Sequence, residues 1–123
     1  MKTEINNHRK IYGIQEEFHS LFPYLKIEFY GKPSKEGGPQ TEKIVEKSSK
    51  TIGDCRNTHN DGIITVTPNM TVGELESTFS NVYGLKVSIL RKSGKSWLET
   101  ALTNGWTLEE QNSQGKTLSE GVA

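Results

Sequence analysis

Cys55 and His59 stand four residues apart on a segment whose spacing predicts a helix, so their side chains would share one face. Such a pair is the arrangement of a thiol nucleophile beside its base, or of two ligands of a metal site. The same two positions align with Leu75 and Phe79 of a later, similar segment, where both are core residues. On that alignment Cys55 is a small buried hydrophobe and His59 lies at the core edge. No third ligand or orienting group stands at an informative spacing. No catalytic residue, metal or cofactor is therefore assigned, and an enzyme around Cys55 and His59 is the lesser reading. His8 and His19 add little; His19 falls off the apolar face of its helix and is expected in solvent.

A second cluster is basic. Arg91, Lys92 and Lys95 surround Gly94 at a predicted hairpin tip, with Trp97 two residues beyond Lys95. Arg91, Lys92, Lys95 and Trp97 are the candidate binding residues. Cations for phosphates and a ring for a base would suit nucleic acid. A solvated turn carries the same lysines, and the chain balances 15 basic against 15 acidic residues, which disfavours a nucleic-acid partner. Trp97 and Trp106 are each expected in the core; an aromatic left outside beside Arg91 would be a hot-spot candidate. Gly94-Lys95-Ser96 and Gly115-Lys116-Thr117 imitate the tail of a phosphate-binding loop, but Ile89 and Glu110 occupy the positions of its first glycine. Glu16 and Glu17, like Glu109 and Glu110, are sequence neighbours that do not face each other on a helix, so neither pair is an acid–base dyad.

The elements that must position these residues recur as a helix followed by a strand. Ile11, Ile14, Phe18 and Leu21 mark one helix face, and Pro23 stops it; Leu25, Ile27 and Phe29 then alternate as a half-buried strand. Ile52, Cys55 and His59 begin a second unit whose strand is residues 63–66. Val72, Leu75, Phe79 and Val82 begin a third, followed by Leu85, Val87 and Ile89. Thr51 with Asp54, and Thr71 with Glu74, are N-caps three residues ahead of an acid; Thr107 with Glu110 does the same for a final short helix. The order α-β-loop-α-β-α-β-β-α implies an α+β or α/β domain: a four-stranded mixed sheet with three to four helices. The second and third strands are expected to be parallel across a right-handed crossover, and the last two antiparallel. One domain spans residues 11–112, with flexible termini at 1–10 and 113–123. Residues 31–50, with Pro33, Pro39 and five lysines, read as a mobile and merely tolerated loop.

The 123 residues fit one domain, and the mean hydropathy of -0.64 is too low for a membrane protein. A single cysteine excludes an internal disulfide framework. No apolar leader opens the chain, so the cytoplasm is the expected compartment.

The segments Phe22-Pro-Tyr-Leu-Lys-Ile-Glu-Phe29, Met70-Thr-Val-Gly-Glu-Leu-Glu76, Arg91-Lys-Ser-Gly94, Trp97-Leu-Glu-Thr100 and Trp106-Thr-Leu-Glu-Glu-Gln-Asn112 resemble a family of short uncharacterised bacterial proteins. The resemblance covers most of residues 11–115. It implies a bacterial, cytoplasmic, single-domain protein and carries over no catalytic residue. The expected function is a small, non-catalytic module that binds a protein partner, with nucleic-acid binding through residues 91–95 as the alternative.

Overall fold

A stripe of apolar residues at helical spacing and two sets of alternating ones are enough to start the core, but the way the strands pair is not what their order suggests. The computed structural model describes residues 1–32, 42–44 and 48–120. Along these the chain runs β1 (Lys2–Ile5), α1 (Ile11–Leu21), β2 (Leu25–Phe29), β3 (Gly62–Thr65), α2 (Val72–Tyr83), β4 (Val87–Ser93), β5 (Ser96–Glu99) and α3 (Leu108–Glu120). Single 3-10 turns occupy Ile52–Cys55 and Ala101–Thr103. The class is α+β.

The strands form two antiparallel sheets, β1–β3 and β2–β4–β5, rather than one four-stranded mixed sheet. The first residues, expected to be flexible, supply the difference. Thr3 and Ile5 point inward while Lys2 and Glu4 point out, and β1 lies antiparallel to β3 with Lys2 opposite Thr65 and Ile5 opposite Gly62. β3 is thereby engaged in another sheet. Helix α2 joins strands of different sheets, and there is no parallel crossover among the described residues. In the larger sheet Leu25 stands opposite Arg91 and Phe29 opposite Val87, and β4 turns into β5 through Gly94, at φ 62°, and Lys95. Positive φ there is what a two-residue hairpin turn requires, and glycine supplies it without steric cost.

Leu25, Ile27, Phe29, Val87 and Ile89 line the inner face of this sheet. They meet Ile11, Ile14 and Phe18 of α1, Val72, Leu75 and Phe79 of α2, and Ile5, Ile64 and Val66 of the smaller sheet. Phe29 and Phe79 pack edge to face with centroids 5.6 Å apart. Leu21 and Val82, expected on apolar faces, are exposed; Phe22 and Tyr83 are buried in their stead.

The helix expected from Ile52 through His59 is only the one 3-10 turn. Thr51 donates its backbone N–H and its hydroxyl to Asp54 Oδ2, at 2.9 and 3.1 Å, and these bonds hold the Asp54 carboxyl below its ordinary range. Ile52 and Cys55 are fully buried. The chain then leaves helical geometry at Arg56 (φ -149°, ψ 160°) because the guanidinium is drawn to the end of α2. Arg56 is 1% exposed; its Nε donates to Asn7 Oδ1 at 2.9 Å and its Nη1 to the Tyr83 carbonyl at 3.1 Å. Thr58 Oγ1 donates to the same carbonyl and Asn60 Nδ2 to that of Val82. A buried cation thus closes the negative end of the α2 dipole, past Gly84 in the left-handed conformation at φ 65°.

Two helix starts cap one another. The first N–H groups of α2, Val72 and Gly73, donate to the carbonyls of Trp106 and Asn104, while those of α3, Leu108 and Glu109, donate to Met70 and Pro68. Thr71 Oγ1 accepts from the Glu74 N–H, and Thr107 with Glu110 forms a reciprocal capping box at 3.0 and 3.1 Å. The C-terminal segment expected to fray is helix α3 as far as Glu120. Its buried face is Leu108, Gln111 and Gly115, a helical spacing that apolar periodicity alone does not register. Of the predicted mobile loop, residues 33–41 and 45–47 lie outside the described residues. Residues 42–44 run along β2, with Ile44 N–H donating to Phe29 O at 2.8 Å and Gly31 N–H to Glu42 O at 2.7 Å.

Candidate functional site

The β4–β5 hairpin does not gather its four candidate residues. Alternation along β4 sends Val87, Ile89 and Arg91 to the inner face and Leu90 and Lys92 to the outer. Trp97, opposite Lys92, is on the outer face; Leu98, opposite Arg91, is on the inner. Arg91 and Trp97 are therefore on opposite sides of the sheet, and Lys95 is exposed in the turn.

On the inner face the core runs out at Arg91, where α3 takes over. Arg91 Nη1 donates to Gln111 Oε1 at 2.9 Å. Gln111, with no exposed surface, spends both amide hydrogens on the backbone oxygen and the hydroxyl of Thr103, each at 2.8 Å. The network ties β4, the 3-10 turn and α3 together. It also places the guanidinium 5.6 Å from the ring centroid of Trp106, close enough for a cation–π contact. The loop carrying Trp106 is fixed again by the carbonyls it gives to α2. Yet Trp106 is 38% exposed, and Leu98 and Leu102, earlier in the same stretch of chain, are exposed at 44% and 101%. The aromatic left outside next to Arg91 is thus Trp106, not Trp97. Neither indole belongs to the core, which Phe, Ile and Leu side chains fill. Gln111 carried no signal as a site residue; only its spacing from Leu108 and Gly115 could have marked it as a buried polar anchor.

On the outer face Trp97 is half-buried. Lys26 Nζ lies 5.0 Å from its ring centroid and the His19 ring centroid 6.2 Å away. His19 is not idle in solvent: its Nδ1 is 2.9 Å from the Leu25 carbonyl, and since a carbonyl only accepts, Nδ1 carries the proton. Gln15 Nε2 donates in the same way to Ile27 O at 3.0 Å. These two side chains of α1 cover the outer edge of β2. Between them and the sheet is a cleft of about 390 Å³ lined by Tyr12, Gln15, His19, Lys26, Glu28 and Trp97. Glu28 lies 3.4 Å from Lys26 Nζ and 2.8 Å from Lys43 Nζ, and it raises the Lys43 ammonium above its ordinary range. Lys86 Nζ sits 4.7 Å from the Tyr30 ring centroid.

Cys55 and His59 are not brought together as a helical pair. Burial, with a smaller contribution from Asp54, pushes the Cys55 thiol up, away from the thiolate a nucleophile needs. His59 is exposed on the following loop with Nδ1 2.6 Å from Asn7 Nδ2. Among the described residues no group of three or more His, Cys, Asp or Glu side chains could hold a metal ion.

Compared with known proteins, the chain matches no family model, no curated protein and no solved structure. No helix among the described residues is long and apolar enough to cross a membrane.

Proposed function

We propose that this chain is a small, non-catalytic protein-interaction module of the cytoplasm, and that it binds its partner through Trp106, Leu98 and Leu102 around Arg91. One observation carries the reading. Trp106, 38% exposed, sits on a loop held by hydrogen bonds on both sides with its ring 5.6 Å from an arginine, and Leu98 and Leu102 are exposed as well. Tryptophan and arginine dominate binding energy at protein interfaces when they are presented rigidly, because little side-chain entropy is then lost on association. The split of Arg91 from Lys92 and Trp97 weighs against a basic-aromatic grip on nucleic acid, as does the pairing of outer-face lysines with Glu28.

The test is affinity capture from bacterial lysate with and without nuclease, comparing the natural chain with Trp106→Ala/Leu98→Ser. A stoichiometric protein that survives nuclease and is lost with the variant supports the reading, provided circular dichroism shows the variant folded. Recovery that disappears with nuclease, or that ignores the variant, overturns it.

A further inference from the structure

The larger sheet treats its two edges differently. Along β2 the outward carbonyls of Leu25, Ile27 and Phe29 accept from His19, Gln15 and Ile44, so that edge is closed by α1 and residues 42–44. The edge of β5 has no such cover among the described residues. Thr100 N–H donates to Ile89 O at 3.3 Å, which sets the parity of the β4–β5 ladder. Ser96 and Leu98 bond to β4, and the backbone groups of Trp97 and Glu99 face outward. An uncovered edge is a template for another strand.

From this edge we infer that the chain self-associates as a symmetric dimer, β5 pairing antiparallel with β5 of a second copy about a twofold axis through Trp97. The charges on the strand select this occupant. Lys95 and Glu99 flank Trp97 at equal distances, two residues before it and two after. An antiparallel copy centred on Trp97 puts each Lys95 opposite Glu99 of the other copy, twice over, and sets the two indoles side by side. Shifting the axis to Leu98 would instead place Trp97 opposite Glu99 and Lys95 opposite Ala101, losing both ion pairs. Opposite charges directly across two strands stabilise the pairing, and like charges oppose it. The chain's net charge of +0 adds no general repulsion between copies. The six-stranded sheet that results joins the two Trp97 clefts across the axis. This proposal goes beyond the Trp106 reading, since it uses the backbone edge and the outer face rather than the Arg91–Trp106 patch.

Sedimentation over a concentration series reaching the millimolar range tests it. The natural chain is expected to shift reversibly from monomer to dimer. Lys95→Glu and Glu99→Lys, both at exposed positions, should each weaken the dimer by about tenfold by turning the cross-strand pairs repulsive, and the double charge swap should restore it. Trp106→Ala should leave the dimer intact while abolishing capture of a different partner, so the two proposals fail separately. A chain monomeric throughout the series, a dimer indifferent to either reversal, or a double swap that does not recover would each overturn the inference.

Discussion

Arg56 is the residue that the fold holds most tightly and explains least through its sequence neighbours. Its side chain has no exposed surface, Asp61 Oδ1 is 3.9 Å away, and its nearer partners are neutral: Asn7 Oδ1 and the Tyr83 carbonyl. Burial lowers its affinity for the proton, and Asp61 and Tyr83 offset part of that. The charge is retained because it meets the carbonyl end of α2, where the helix dipole favours a cation. Removing it takes away the bonds to Asn7 Oδ1 and to the Tyr83 carbonyl, which keeps only the longer bond from Thr58, at a cost of about 1.5–3 kcal/mol for each hydrogen bond to a charged group. Arg56→Ala should therefore lower stability by about 3 kcal/mol, read as a shifted urea midpoint at unchanged slope. Arg56→Lys should lose nearly as much, because one ammonium cannot reach Asn7 and Tyr83 together. A loss under about 1 kcal/mol for the alanine variant would mean that water replaces the guanidinium.

Helix α3 shows how an element docks with little apolar surface. Leu108 is its one fully buried hydrophobic side chain, and the rest of the attachment is polar: Gln111 to Arg91 and Thr103, and Asn112 Oδ1 accepting from the Tyr24 N–H at 2.8 Å. Gly115 makes the approach close enough for those bonds. A Cβ there would lie 2.9 Å from Tyr24 Cβ and 3.1 Å from both Tyr24 O and Arg91 Cγ. Alanine is worth about 1 kcal/mol more than glycine inside a helix, so on propensity alone Gly115→Ala should stabilise. The contact with backbone reverses the sign, and a net loss of about 1–2 kcal/mol is expected from thermal unfolding. A rise in the midpoint would show that α3 can shift outward at no cost. The amphipathic pattern exists in this helix, but its inward positions are a leucine, a glutamine and a glycine, which explains why it reads as a polar tail.

At the scale of the molecule, two sheets of different size share one core. Ile5, Ile64 and Val66 of the smaller sheet pack into the same cluster as Leu25, Phe29 and Ile89 of the larger one. The smaller sheet is therefore not an appendage. Deleting residues 1–5 uncovers Ile64 and Val66 and removes Ile5, itself 1% exposed, so a loss of about 3 kcal/mol or more is expected by analogy with large-to-small core changes. Hydrogen exchange should then quicken across β2 and β4 as well as β3, within one cooperative transition. Loss of protection confined to β3 would contradict a shared core. The molecule also leaves its open surfaces in distinct places: Trp106 toward α3, the β5 edge beyond Trp97, and the cleft beneath α1.

Whatever is settled within a turn or two of chain can be read from the residues alone. The stripe of Ile11, Ile14 and Phe18 specifies α1, Val72, Leu75 and Phe79 specify α2, and Thr71 and Thr107 with their acids specify where two helices start. Gly94 between two short apolar runs specifies a hairpin, and Cys55 repeats a core position and is buried. These signals are local, and the physics that acts on them is local. Contacts across the fold set which strands pair, that Lys2–Ile5 is one of them, and that the second apolar segment stops after one 3-10 turn, from which Arg56 reaches α2. They also decide that Arg91 and Trp97 part company, because strand parity assigns faces only once the core has claimed Val87 and Ile89. Pairing of distant strands is a competition among partners with similar alternation, and a buried glutamine or arginine leaves no hydrophobic signature. Both are resolved by what lies across the core, which no stretch of the chain carries alone.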